Sequence, residues 1–371
     1  MNTEKIFGPP GDSPVTTLTI RRPDDWHVHL RDGDMMRAVL PFTSSQFGRA
    51  IVMPNLTPPV TTVAAAQAYR DRIVAALPRG ATFTPLMTCY LTDETSADEV
   101  EAGFRDRVWV ACKLYPAGAT TNSSHGVTNL ARIGSVLERM ERIGMPVLIH
   151  GEATEPTVDT FDRESFFIEN SLRTLLGRHQ ELRIVLEHVT TVEGVAVVRE
   201  NSARMAATIT PHHLVLNRTS LFQGGLRPHY YCLPVAKREH HRLALRRAAV
   251  SGDPCFFLGT DSAPHLREAK QAECCSAGIF CGPTALQTYA QVFEEEGALG
   301  RLESFASCNG PAFYRLPLNT GTITLRRRKN LGDRSLRIGS SDIAMFRGGE
   351  RLAWSIDEEG DRDPQLEGRA R

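Results

Sequence analysis

Two histidines spaced two residues apart, with an arginine at the same interval beyond them, are where chemistry first enters this chain. In Trp26-His27-Val28-His29-Leu30-Arg31-Asp32 the polar residues alternate with Val28 and Leu30, the two-residue period of a strand. Successive strand side chains point to opposite faces, so the pattern sets His27, His29 and Arg31 on one face. Two imidazoles about 7 Å apart at their Cα atoms can grip one metal ion, and neutral histidine is its commonest ligand. An H-x-H pair is a weak signal by itself. The remaining ligands have to come from elsewhere in the chain.

The elements that must position them follow a rhythm that sets in at residue 18. Short apolar runs at 26–30, 50–53, 82–90, 108–115, 146–150, 183–188, 205–210 and 255–259 alternate with helical stretches such as 62–76, 130–143, 165–179, 192–201 and 238–250. Strands alternating with helices predict a parallel sheet with right-handed crossovers. Eight such units in 371 residues point to an α/β (β/α)8 barrel, with the active site at the C-terminal ends of its strands. Residues 284–296 and 302–306 read as helices, and 321–346 as a short β-like extension forming a small appended sheet. Residues 1–14 read as a loose Gly- and Pro-containing arm, and 15–346 as a single barrel domain. Residues 347–371, charged and without apolar periodicity, read as a disordered tail.

On this scaffold the polar residues converge. The first run ends in His27, His29 and Arg31, the fifth in His150, the sixth in His188, and the eighth in Asp261 with His265 four residues on. The fourth carries Lys113 on the same face as Trp109, Ala111 and Tyr115. Taken singly, each has a plain explanation: a satisfied core histidine, a helix N-cap, a snorkelling lysine. Four histidines and an aspartate at the same end of four strands are not explained that way. Lys113 is the most informative, because an ammonium beside metal ions would be repelled and costly to desolvate. Reaction of its amine with CO2 would give an anionic carbamate whose two oxygens can bridge two divalent ions.

This set resembles the amidohydrolase superfamily. More narrowly, DDWHVHLRDGD, MPNLTPPVTT, CKLYPAGATTNSSHGV, LIHGE, LEHVTT and GTDSAPH, in order between about residues 20 and 320, resemble the bacterial class II dihydroorotases. The resemblance implies that His27, His29 and Asp261 hold one Zn2+, that His150 and His188 hold a second, and that N6-carboxylated Lys113 and a hydroxide bridge them. It implies Asp261 as the proton carrier. Zinc takes such nitrogen and oxygen ligands readily, although cobalt and manganese can share them.

The substrate implied is dihydroorotate, a carboxylate on a cyclic imide, made reversibly from N-carbamoyl-L-aspartate. Arg31 offers a planar fork for a carboxylate, and the family adds Asn55 and His265 to that pocket. His150 also contacts substrate in this resemblance, with the main chain at Leu233 and Ala277 on the ring amide edges. Thr120 and Thr121, in the small-residue loop 118–127, touch bound substrate from a candidate lid. A homodimer is a family expectation. The nearest rival is another cyclic-amide hydrolase on the same scaffold, a hydantoinase or an allantoinase, whose neutral ring would need no carboxylate pocket.

Bulk composition narrows the class further. Lys+Arg and Asp+Glu balance at 43 each, which argues against a nucleic-acid or anionic-membrane surface. The basic run 326–329 reads as a solvated strand edge. No stretch of about 18 apolar residues is present, and the eight cysteines lack paired CxxC spacing. These features predict a cytoplasmic protein in a reducing setting. His212 and His213 end the seventh run, where at most one could face the site. His240 and His241 begin a helix as solvated residues, and spacing gives His125 no role.

Overall fold

The computed structural model describes residues 15–357, so the arm 1–14 and residues 358–371 of the expected tail lie outside the described residues. Strand β1 (Thr17–Arg21) belongs to a small separate sheet. Strands β2 (Asp25–Val28), β3 (Arg49–Val52), β4 (Thr84–Tyr90), β5 (Trp109–Leu114), β6 (Val147–Ile149), β7 (Ile184–Leu186), β8 (Met205–Ile209) and β9 (Phe256–Leu258) pair in sequence order as one eight-stranded parallel sheet. The ring closes just beyond β9. There Asp261 donates its backbone N–H to the His27 carbonyl at 2.8 Å, and Val28 bridges Ser262.

These are the eight runs expected, each within two residues of its predicted ends. They are buried along nearly their whole length, because helices cover the outside and side chains fill the inside. Helices Val63–Ala75, Val192–Glu200 and Glu239–Ala249 fall where periodicity puts them. Gly33–Ser44 and Ala97–Arg105 are further crossover helices; Ser96 caps the latter by accepting the Glu99 N–H.

Two apolar layers hold the barrel. Val28, Val52, Leu114, Ile149, Leu186 and Leu258 face outward into the helix layer. Trp26, Ile51, Ala111, Leu148, Val185, Ala206 and Phe257 fill the interior, and Tyr314 stacks on Trp26 from below with ring centroids 4.5 Å apart. Two bulges adjust this pattern. One extra residue in β2 opposite β3 lets both Trp26 and His27 face inward. A second, in β5 opposite β4, turns Trp109 outward, so it does not share the face of Ala111 and Lys113 as the simple alternation had it. Trp109 instead packs on Gly103, where a Cβ would lie 2.2 Å from its ring.

The C-terminal region departs most from expectation. Strand β10 (Thr322–Leu331) pairs with β1 on one side, the hairpin β11 (Ser335–Ile338) and β12 (Ser341–Ala344) follows, and β13 (Arg351–Ile356) pairs with β10 on its other side. Residues 347–357 are therefore not disordered. Leu352 and Trp354 are buried, and Trp354 donates its indole N–H to Glu294 at 3.2 Å. The alternation Leu352, Trp354, Ile356 was hidden by the charge around it. Burying one such aromatic side chain contributes about 1.5–3 kcal/mol. The basic run also lies on the central strand of this sheet rather than on an edge, with Arg326 paired to Asp357 and Arg327 to Glu294.

Candidate active site

Two residues along each strand from the apolar interior layer, the inward position becomes polar. Ala111 leads to Lys113, Leu148 to His150, Val185 to Glu187 and Ala206 to Thr208, all buried. Phe257 leads to Gly259, where a Cβ would come within 2.7 Å of Thr208 and 3.2 Å of the His27 Cβ, so only glycine leaves both in place. His188 and Asp261 do not arrive by alternation. Each follows its strand with a positive φ (39° and 45°), and Arg31 does likewise at 62°. Non-glycine residues held there are strained, and such strain gathers at functional sites. Arg31 therefore reaches the pocket through a left-handed turn and not through the strand face that spacing implied.

The predicted metal ligands come together. His27 Nε2, His29 Nε2 and Asp261 Oδ1 lie 3.1–3.3 Å from one another, a group that could hold one ion. The ring of His188 stands between those of His27 and His150, with centroids 5.0 and 4.8 Å away. Three outer nitrogens are already engaged, while His188 Nδ1 is buried with no hydrogen-bond partner among the described residues. His27 Nδ1 bonds Glu187 at 2.7 Å, His29 Nδ1 bonds Asn55 Oδ1 at 2.8 Å, and His150 Nε2 bonds Glu152 at 2.7 Å. Carboxylate and amide oxygens only accept, so these nitrogens carry the protons and the inner ones present lone pairs. Thr208 fixes Glu187 by donating to the same oxygen at 2.6 Å and accepts the His188 backbone N–H at 2.7 Å.

Lys113 sits among them, wholly buried, its Nζ without a hydrogen-bond partner among the described residues and 4.9 Å from the centroid of the Tyr115 ring. Burial brings its amine down to about 8, against the pull of Glu187 and Asp261. Burial likewise lowers His27, and puts His29 and His188 well below the ordinary histidine value, so these three imidazoles are neutral. It raises Asp261. An orphaned buried amine beside neutral histidines with inward lone pairs fits a metal centre with nitrogen and oxygen donors, and fits an amine that is itself modified.

The facing wall is made of loops. Arg31 lies against His265, Nη2 to Nε2 at 2.9 Å, with its Nε on the Pro264 carbonyl at 3.2 Å. His265 Nε2 is also 2.9 Å from the Ala277 carbonyl, and one ring nitrogen can serve only one of these neighbours at a time. Burial, then Arg31 and Lys270, lower His265 to about 2, so it is neutral. Thr120, Thr121, Leu233 and Ala277 also line the pocket. The loop 118–127 crosses the mouth: Thr121 donates to the Ala277 carbonyl at 3.2 Å, and Asn55 Nδ2 donates to the Thr121 carbonyl at 3.1 Å. Both ends of the Asn55 amide are thus engaged, one on His29 and one on this loop. A wider groove outside the barrel, bordered by Leu137, Glu141, Leu175 and His179, holds none of the predicted residues.

Three buried carboxylates escaped the reading of the sequence. Glu187 is the inward residue of its strand end, countable from Val185, and Glu152 follows His150 by one strand period. Asp25 accepts from the Thr260 N–H and hydroxyl at 2.8 and 2.6 Å and is pushed up to about 7 by burial, tying β2 to the end of β9. His212 and His213 do not end a strand: they lie in the short helix Pro211–Val215, both buried. His213 bonds the Thr210 hydroxyl and the Pro234 carbonyl, with Cys232 at 3.6 Å, so both of its nitrogens are taken within that cluster. His125 is exposed.

A parallel eight-stranded barrel with these groups at the C-terminal rim is the architecture of the Amidohydrolase family, whose family model matches residues 24–328, and the chain belongs to that family of metal-dependent hydrolases. Its relatives place it more narrowly. It is 60% identical over 339 residues to a dihydroorotase of Synechococcus sp. (strain CC9605), covering 91% of this chain and 96% of that one. To a dihydroorotase of Erwinia tasmaniensis it is 57% identical over 341 residues, covering 91% and 97%. The crystal structure of dihydroorotase from Campylobacter jejuni superposes with a TM-score of 0.85 at 31% identity, covering 92% and 97% of the two chains. The Saccharomyces cerevisiae dihydroorotase in complex with 5-fluoroorotic acid gives 0.85 at 30%, covering 92% and 99%. Within the amidohydrolases, the chain stands among the dihydroorotases.

Proposed function

We propose that this chain interconverts N-carbamoyl-L-aspartate and (S)-dihydroorotate, the third step of de novo pyrimidine synthesis, with two divalent ions, zinc by preference. The observation that carries the reading is the wall of Arg31 and His265 facing the His27–His29–Asp261 cluster across one small pocket. A cationic fork opposite a metal site suits a ring that bears a carboxylate, and a neutral ring has no use for it.

His27, His29 and Asp261 would hold one ion, His150 and His188 the other, and Lys113 would bridge them. For that, the Lys113 amine forms a bond from Nζ to the carbon of CO2 and loses a proton, giving a carbamate. When bound, the ions supply Lewis-acid polarisation of the scissile carbonyl and lower the pKa of water. Asp261 takes the proton from the attacking water as the new C–O bond forms and delivers it to the ring nitrogen as the C–N bond breaks; ring closure runs the same path backwards. Arg31, with His265 and Asn55, binds the substrate carboxylate. Leu233 and Ala277 present main-chain groups to the ring amide edges, and Thr120 and Thr121 cover the mouth. The same reading makes the protein a cytoplasmic homodimer. The cysteines at 89, 112, 232, 255 and 281 are buried as free thiols, which suits a reducing compartment.

The test is hydrolysis of dihydroorotate by the purified, metal-loaded protein, run beside dihydrouracil, the same ring without its carboxylate. Strong preference for dihydroorotate is expected; equal turnover of both, or of dihydrouracil alone, would remove the reading.

A further inference from the structure

The substrate-facing loops at Leu233 and Ala277 converge on a side chain that lies outside the pocket lining. Lys270 ends the short helix Arg267–Lys270 and is buried. Its Nζ donates to three carbonyls, Tyr231 at 2.7 Å, Ser276 at 2.8 Å and Gly278 at 2.8 Å. An ammonium has three donors, so these three bonds saturate it. Burial lowers it to about 8, which leaves it protonated at neutral pH. Among the described residues no carboxylate bonds it, so the three carbonyl dipoles, with the Tyr231 ring 5.6 Å away, compensate the charge, an arrangement that fixes the carbonyls as firmly as they fix the lysine.

Those carbonyls come from two segments. Tyr231 stands two residues before Leu233, while Ser276 and Gly278 flank Ala277. Ser276 and Gly278 give their carbonyls to Nζ, while the Ala277 carbonyl between them goes to His265 and Thr121. Gly278 also donates its N–H to Tyr231 at 3.0 Å, joining the segments directly. A Cβ at Gly278 would come within 2.7 Å of the Ala263 carbonyl and 2.9 Å of His265, so this approach leaves no slack. The helix carrying Lys270 is held from outside by the β11–β12 hairpin, through Arg267 on Asp342 at 2.5–2.8 Å and Ser341 on Glu268 at 2.5 Å.

We propose that Lys270 is a positioning residue of this site, setting the main chain at Leu233 and Ala277 against the amide edges of the substrate ring. This rests on the reading that those two segments face the ring. The test compares full-length, metal-loaded wild type, Lys270→Met and Lys270→Arg by steady-state dihydroorotate hydrolysis, with metal content and melting temperature measured on the same samples. For Lys270→Met, KM should rise about tenfold or more while kcat stays within about threefold and metal content is unchanged. Lys270→Arg keeps the charge but spreads its donors in a plane, so KM should rise only about threefold. A lower melting temperature with both kinetic constants unchanged would overturn the assignment. If Lys270→Met does not fold, a Lys270→Arg protein with wild-type KM overturns it equally. A wild type that turns over no dihydroorotate would overturn the functional reading and this role with it, whereas an active wild type matched by both variants would overturn the Lys270 role alone.

Discussion

On the strand-end wall, His27 and His150 commit one ring nitrogen each to a buried carboxylate, and His29 commits one to the Asn55 amide. On the wall across the pocket, Arg31 is held by the Pro264 carbonyl and the neutral His265 imidazole, and the carbonyls on either side of Ala277 are held by the Lys270 ammonium. The first wall aims lone pairs inward from short, fully buried strands. The second aims cationic and main-chain donors inward from loops. The first offers donors that suit cations and the second a charge that suits an anion, and Asn55 touches both, through His29 and the Thr121 carbonyl. Metal retention and substrate choice should therefore separate when one wall is altered and the other is not.

The largest break in that comparison is expected from Lys113→Ala. Loss of the bridging anion should remove bound metal and lower kcat by at least about a thousandfold, since a metal centre contributes several kcal/mol to the transition state. Short carboxylic acids should restore part of both, measured by metal analysis and dihydroorotate hydrolysis with and without propionate; a fully active variant would refute the carbamate. Next comes Arg31→Met, for which kcat/KM on dihydroorotate should fall about a hundredfold, as for loss of a charge-assisted pair, with metal content kept. Equal loss of metal would make Arg31 a structural residue of the cation wall. Smaller again is Glu187→Gln. It keeps the shape but weakens the hold on His27, and metal affinity, read by competition with a chelator, should drop about tenfold. An unchanged affinity would mean that Glu187 only packs.

How far each wall could be read from the sequence follows from the same difference. The eight strands were legible because buried parallel strands are short continuous apolar runs, and His150 and Lys113 because period-two counting from Leu148 and Ala111 places them inside. Glu187 obeys the same count from Val185 but was eclipsed by its neighbour His188, whose position depends on a left-handed residue that no periodicity announces. Arg31 and Asp261 turn the same way. The loop wall has no period at all: His265, Leu233 and Ala277 were reachable only through family resemblance. Lys270 was not reachable, because its partners are carbonyls as far as 39 residues away. The sheet of β1, β10 and β13 joins residues about three hundred positions apart, and its last strand was masked by surrounding charge.

That turnover needs two metal ions at the strand-end wall is tested most directly by one titration. Protein stripped with a chelator is given increasing Zn2+, and dihydroorotate hydrolysis is followed against equivalents added per chain. Activity should rise from near zero and level off at two equivalents. Full turnover in the stripped protein, or none with two equivalents bound, would contradict it.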